Sequence, residues 1–373
     1  MNGLSVRRCT RNDYEEFLVT INTAFGKDDE WFQRNWGGCT PYPSMATDDE
    51  IALHLICEID GKIAGGLGCY PKDLCIMNRV GERGKISAYG IGQVSCLPEY
   101  RNRGVMTAVL KKSEQDMLEA GAVLGFLGGD RWRYGHFGYD FGGNRVSYEL
   151  HEWRFKKLLG LPDNAAGNLT VRDAVPSDCD EIDAAYRSLP AYAVRDRRAW
   201  TRLFNRTLPS SDECGRYYWH IGEKDGKKAY LCFQPPNKIA EAYGDADTLA
   251  AMVLCFMKEK DRSVLELHYP MMPGEPDPIT RMLFKGASHM QNHVGHLFSI
   301  INAKGLLEQA ADILPGHMPH GAPDWRGLCG NDADLLARRL TRYMYRPSGE
   351  ADSFPWLMCV APLSIWVPSA DDI

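Results

Sequence analysis

The chain has 373 residues, of which 44% are hydrophobic and 25% charged, with a formal net charge of -6. That length predicts two or three domains rather than one core. The composition excludes wholesale disorder, and the negative balance argues against a nucleic-acid partner, because phosphate binding needs a basic surface.

The first residues, Met1 to Arg8, lack an apolar run of signal-peptide length, and no later segment is long and apolar enough to span a bilayer. The twelve cysteines form no CxxC pair; Cys69 and Cys75 are the nearest to a cluster, at the wrong spacing for a zinc knuckle. Scattered cysteines of this kind read as free thiols of a reducing compartment. A cytoplasmic protein without membrane span is expected.

In chain order, a short strand around Val6 runs into an acidic helix start near Asp13. Asp28, Asp29, Glu30 and Trp31 follow the first helix. They read either as an acidic and aromatic wall for an amine or as a helix cap with a core tryptophan. A hairpin centred on Asp60-Gly61 joins strands His54–Ile59 and Ile63–Cys69, and Gly65-Gly66-Leu67-Gly68 lies inside the second of these. A strand over Tyr89–Ser95 precedes a helix from Val105 to Ala120, whose apolar positions Met106, Val109, Leu110, Met117 and Leu118 predict one buried face. Ala122–Leu127 is a short buried strand, and Gly160–Asn168 a linker.

Beyond the linker the pattern repeats. Val171-Arg172 and Asp178 echo Val6-Arg7 and Asp13, and Asp225-Gly226-Lys227 echoes Asp60-Gly61-Lys62, each 165 positions on. A shared offset predicts a duplicated domain. From about residue 290 the pattern changes: a strand at Leu297–Ile301, a helix from Lys304 to Ile313, an irregular stretch, a helix over Asp332–Tyr343 and an apolar tail. His289, His293 and His296 are either three metal ligands or structurally satisfied histidines, the latter reading being preferred; no metal is expected.

One stretch carries chemistry. Between the strand ending near Ser95 and the helix opening at Gly104 stand Arg101, Asn102 and Arg103. Glycine allows close backbone approach, the first amides of the helix lack partners, and its dipole favours an anion. The arginines suit phosphate oxygens. Physics alone reads this as a pyrophosphate-binding turn.

The same segment resembles the acetyl-coenzyme A signature R/Q-x-x-G-x-G/A of the GNAT acetyltransferases, with Arg101, Gly104 and Met106 at its three marked positions; Met106 departs from the usual glycine or alanine. Arg133-Tyr134-Gly135-His136-Phe137-Gly138-Tyr139 is similar to the Y-G-x-F-G-Y/F motif of the Eis-like branch of that family. The resemblance implies an α+β fold of two tandem GNAT domains, at 1–160 and 161–288, followed by a sterol-carrier-protein-like domain at 289–373.

It also implies transfer of acetyl from acetyl-CoA to a primary amine of aminoglycoside, polyamine or lysine type in a ternary complex, by a protein expected to be a homo-oligomer. Val94, Ser95 and Cys96 would hold the pantetheine arm. Arg101, Asn102, Arg103, Gly104, Val105, Met106 and Thr107 would seat the pyrophosphate. Tyr134 would be the general acid, and the carboxylate of Ile373 the base or a positioning group, with Asp372 adding charge for a cationic amine; a solvated acidic tail is the alternative. The second copy, with Asp245 and Asp247 at its corresponding helix start, is expected to bind no coenzyme. A donor with a larger acyl group, or a non-catalytic protein binding CoA or an apolar ligand through the C-terminal domain, are the competing readings.

Overall fold

A computed structural model describes residues 3–36, 39–78, 80–143, 145–162, 164–205, 217–259, 263–270, 275–293, 296–313 and 365. The first half opens with β1 (Leu4–Arg8), α1 (Tyr14–Ala24), α2 (Trp31–Trp36) and α3 (Asp48–Ile51). Strands β2 (His54–Ile59), β3 (Lys62–Pro71), β4 (Leu74–Met77), β5 (Arg83–Ile86) and β6 (Ala88–Cys96) follow. Then come α4 (Val105–Glu119), β7 (Leu124–Leu127), α5 (Arg131–Tyr134) and β8 (Asp140–Gly142). Next are β9 (Arg145–His151), α6 (Glu152–Leu159), β10 (Thr170–Asp173), α7 (Cys179–Tyr186), β11 (Tyr192–Ala193) and α8 (Arg197–Asn205). The rest is β12 (Tyr218–Lys224), β13 (Lys227–Gln234), β14 (Lys238–Gly244), α9 (Ala246–Glu259), β15 (Val264–Pro270), α10 (Pro278–Gly286), β16 (His289–His293), β17 (His296–Ile300) and α11 (Ala303–Gln309).

Two seven-stranded mixed sheets result, in the orders β1-β2-β3-β6-β7-β17-β8 and β10-β12-β13-β14-β15-β9-β16. Strand by strand the orders correspond, and the offset of 165 survives in the register: Val6 faces Cys57, and Val171 faces Gly222. The repeated residues do the same work. Arg7 makes two hydrogen bonds to Asp13 at 2.7 and 2.8 Å, and Arg172 makes two to Asp178 at the same distances. In both halves the arginine holds its partner carboxyl below the usual range. Asp60 and Asp225, at φ 53° and 52°, turn the two hairpins.

The sixth strand of each sheet is supplied by the other half. β9 leaves the first sheet to lie between β15 and β16, pairing Tyr148 with Leu267 and with Met290. β17 returns to lie between β7 and β8, pairing Leu297 with Leu127 and with Phe141. Residues 145–151, ahead of the boundary expected at 160/161, pair in the second sheet, and residues 289–293 and 296–300, past the one expected at 288/289, pair in the second and the first sheet. Local patterning could not show this, because an apolar strand carries no label for the sheet it joins. The helix expected at Asp332–Tyr343 lies outside the described residues.

A third, small sheet, β11-β4-β5, ties the halves together, as does the Arg198 ion pair with Glu50 at 2.7 Å. In the first half the period-2 alternation of β2 feeds two layers. Ile56 meets α1 residues Tyr14, Phe17, Leu18 and Ile21 on one face. Leu55, Cys57 and Ile59 meet Val105, Val109, Leu110 and Met117 of α4 on the other. Leu118, expected in the core, is 51% exposed; the buried stripe takes Val105 instead. A Cβ at Gly66 would stand 2.3 Å from the Leu55 carbonyl oxygen, so this glycine run serves strand packing.

Candidate active site

The parallel ladder between β6 and β7 runs from Ala88↔Leu124 to Ile91↔Leu127 and stops. It stops because β6 bulges: Gln93 and Val94 together oppose Leu67 of β3, and Gln93 adopts φ 50°. The bulge is held from behind. The Tyr70 hydroxyl lies 2.5 Å from Gln93 Oε1 and 3.0 Å from His54 Nε2, and His54 Nδ1 lies 3.1 Å from the Ile51 carbonyl oxygen. Burial drives the His54 pKa down to about 4, so the ring is neutral at pH 7.

Past the bulge, Val94, Ser95 and Cys96 have no strand partner on the β7 side, and they border a cavity of about 730 Å³. The Ser95 hydroxyl is committed to the backbone of Gly66, at 3.1 and 3.2 Å, so only its main chain is available. Burial raises the Cys96 thiol pKa, which keeps it protonated.

The cavity opens onto the N-terminus of α4. Arg101, Asn102, Gly104, Val105, Met106 and Thr107 line it. Gly104 caps the helix at φ 86°, a left-handed conformation that glycine takes without strain, and nothing lies within 4 Å of where its side chain would project. The first turn of α4 carries no acidic residue. A diphosphate therefore fits: unpaired amides, a dipole and a guanidinium converge where the backbone can be approached closely.

Arg103 is also expected at the diphosphate. It lies over the Tyr100 ring at 5.5 Å and 3.8 Å from Asp60, and it is not in the lining. Arg133, Ala24 and Phe25 are there instead. Arg133 stands in the motif around Tyr134, which was its only signal in the sequence; Ala24 and Phe25 gave none.

Tyr134 is 7% exposed, closing α5 against Tyr139, and is not itself part of the lining. Burial raises its pKa, opposed by the charge of Arg133 and a hydrogen bond from it, so the phenol stays protonated and linked to a cavity residue.

Asp28, Asp29 and Glu30 follow Phe25 closely and lead into α2, which Trp31 opens. Asp28 accepts from the Glu30 amide and from Arg34, Glu30 pairs with Arg34 at 3.7 Å, and Lys27 covers Trp31 at 4.5 Å. Asp372 and Ile373 lie outside the described residues. Among the described residues no three metal-ligating side chains gather, and no helix is long and apolar enough to cross a membrane. His289 and His293 lie on β16 in one sheet, His296 on β17 in the other.

Residues 5–142 match the family described as the acetyltransferase (GNAT) domain. An "uncharacterized N-acetyltransferase" of Streptomyces avermitilis is 32% identical over 149 residues, which is 38% of this chain and only 36% of that relative. Three solved structures share the fold over both halves. A GCN5-related N-acetyltransferase from Kribbella flavida has a TM-score of 0.60 at 13% identity, covering 83% of this chain and 74% of its own. One from Anabaena variabilis has 0.59 at 15%, covering 82% and 75%. Eis1 from Mycobacterium abscessus has 0.54 at 15%, covering 81% and 75%. At these identities the likeness is one of architecture.

Proposed function

We propose that this chain is an acetyl-CoA-dependent N-acetyltransferase of the Eis-like kind, acting on a primary amine of aminoglycoside, polyamine or lysine type by direct attack in a ternary complex. The observation that carries this reading is the parting of β6 from β7 beyond Ile91, which opens directly onto the unobstructed start of α4. The backbone of Val94–Cys96, without a strand partner on the β7 side, suits the amide-bearing pantetheine arm and offers donors to a carbonyl oxygen that gains charge as the amine attacks. Arg101, Arg133 and the first-turn amides of α4 hold the diphosphate. The Tyr134 hydroxyl, kept protonated by burial, supplies the proton that the departing thiolate needs. The amine enters from the end of α1, where Phe25 borders the cavity and Asp28, Asp29 and Glu30 follow in sequence.

Calorimetric titration with acetyl-CoA, followed in the same sample by thiol release against a panel of amines, tests the proposal. One site per chain with turnover on an amine is the expected result; absence of binding would remove the reading. Tyr134→Phe is expected to lower kcat by about 10²-fold with little change in acetyl-CoA affinity.

A further inference from the structure

The bulge that opens the cavity rests on one residue in an unfavourable conformation. Among the described residues four non-glycines have positive φ: Asp60, Gln93, Asn102 and Asp225. Asp60 and Asp225 turn the hairpins and Asn102 stands in the loop before α4, and aspartate and asparagine tolerate that region. Gln93, at φ 50°, alone of the four lies inside a strand, and its longer side chain gives its own backbone no such help. A conformation of this kind persists only where its surroundings impose it.

The imposing group is Tyr70. Its hydroxyl donates to Gln93 Oε1 at 2.5 Å, with His54 Nε2 at 3.0 Å and the Cys39 carbonyl oxygen at 3.3 Å around it. Tyr70, Gln93 and His54 are all buried, and the Tyr14 and Phe17 rings of α1 pack on His54 at 5.6 and 5.2 Å. Burial keeps the Tyr70 phenol protonated, so it remains a donor. The strand itself makes room for it. A Cβ at Gly68 would stand 2.0 Å from Tyr70 Oη, so the phenol crosses a stretch of backbone that glycine leaves open. Neither Tyr70 nor Gln93 lines the cavity, whereas Val94 does. Because the peptide between them is planar, the dihedral angles of Gln93 set the direction of the Val94 amide. The brace therefore reaches the cavity through a single peptide unit.

We propose that Tyr70 is a positioning residue for acyl transfer: through Gln93 it aims the Val94 amide at the thioester carbonyl of acetyl-CoA. The inference rests on the acetyl-CoA reading given above and extends it to a residue that touches no ligand. Infrared difference spectroscopy of acetyl-CoA, isotopically labelled at the acetyl carbonyl and bound to the intact protein, tests it. In the wild type the carbonyl band is expected below that of free acetyl-CoA, as a hydrogen bond from an aimed amide requires. Tyr70→Phe removes one oxygen and keeps the ring. It is expected to return the band toward the free position while calorimetric acetyl-CoA affinity changes less than about fivefold. With an amine that the wild type acetylates, kcat should fall about tenfold, less than the loss of a whole oxyanion donor costs, and the amine KM should stay within about twofold. Gln93→Asn tolerates the positive φ but is too short to reach the phenol; it should move the band the same way, and the two changes together should add nothing to either alone. This second variant leaves the buried phenol in place and carries the test by itself if thermal melting shows that Tyr70→Phe does not fold. If acetyl-CoA binds and its carbonyl band is the same in the wild type and the folded variants, Tyr70 does not aim the amide and the coenzyme reading stands. If the wild type binds no acetyl-CoA, both fall.

Discussion

The two halves of this molecule share nearly every structural device and differ in the few that make the candidate coenzyme seat. Each has the arginine–aspartate clasp, the Asp-Gly hairpin and a sheet of corresponding strand order. Even the bulge is repeated: Gln93 and Val94 oppose Leu67 in the first half, and Ala240 and Glu241 oppose Cys232 in the second. Beyond it the second half departs. Glu241, at the place of Val94, is fully buried in a two-bond ion pair with Arg195, whose guanidinium lies 4.1 Å from the Tyr186 ring and 4.6 Å from the Trp200 ring. The loop from Leu97 to Gly104 has no counterpart, since β14 ends at Gly244 and α9 starts at Ala246. Asp245 occupies its own helix start by capping Thr248 at 2.9 Å, and Asp247 follows in the first turn. The fold is thus neutral scaffolding; a strand position, an eight-residue loop and the charge at one helix start separate a candidate site from a filled one.

The largest effect is expected from severing the halves. A fragment ending at residue 143 lacks β17, leaves β7 and β8 without their shared neighbour, and should not fold, as read by the loss of amide dispersion in NMR. If it folds and binds CoA, the exchange of strands is dispensable. Next comes Glu241→Ala, which strands the Arg195 charge in an apolar enclosure and should cost about 3–5 kcal/mol in urea unfolding while leaving CoA affinity per folded molecule unchanged. Loss of CoA binding at full stability would mean that the second half takes part in the site.

The first half alone has His54 behind its bulge. Its pKa falls from 6.5 to about 4 on folding, so the unfolded chain binds the extra proton between those values and stability declines as pH is lowered through that window. The loss should approach about 3 kcal/mol by pH 4, and Tyr70→Phe should alter its size. The smallest difference concerns the clasps. Arg7→Ala and Arg172→Ala should each cost no more than about 1 kcal/mol, since both arginines are about half exposed. Arg7→Ala should cost more, because Arg7 also meets Glu58 at 2.5 Å. Equal melting shifts would show that this third partner contributes nothing.

Much of this was legible in the residues, for reasons that differ from element to element. The hairpins were readable because a positive φ demands Asp-Gly, and the start of α4 because an αL cap demands glycine next to the arginines. Both are local constraints. Spacing along a loop does not say which guanidinium faces the cavity and which, like that of Arg103, meets Asp60 and Tyr100. Arg133 and Phe25 escaped because they reach the cavity from other elements, through packing that no short window encodes. Glu241 read as an ordinary strand residue; its partner Arg195 lies 46 positions away.

The exchange of β9 and β17 also imposes an order of events during synthesis. The strand that completes the first sheet is the last one made among the described strands, so β7 and β8 leave the ribosome without the neighbour that joins them. From Gly142 to Ile300 translation takes on the order of ten seconds or more. Throughout that interval the half that carries the candidate site has an unfilled place in its sheet. The candidate coenzyme seat is therefore finished only after the second half has been built, which ties the completion of one repeat to the synthesis of the other.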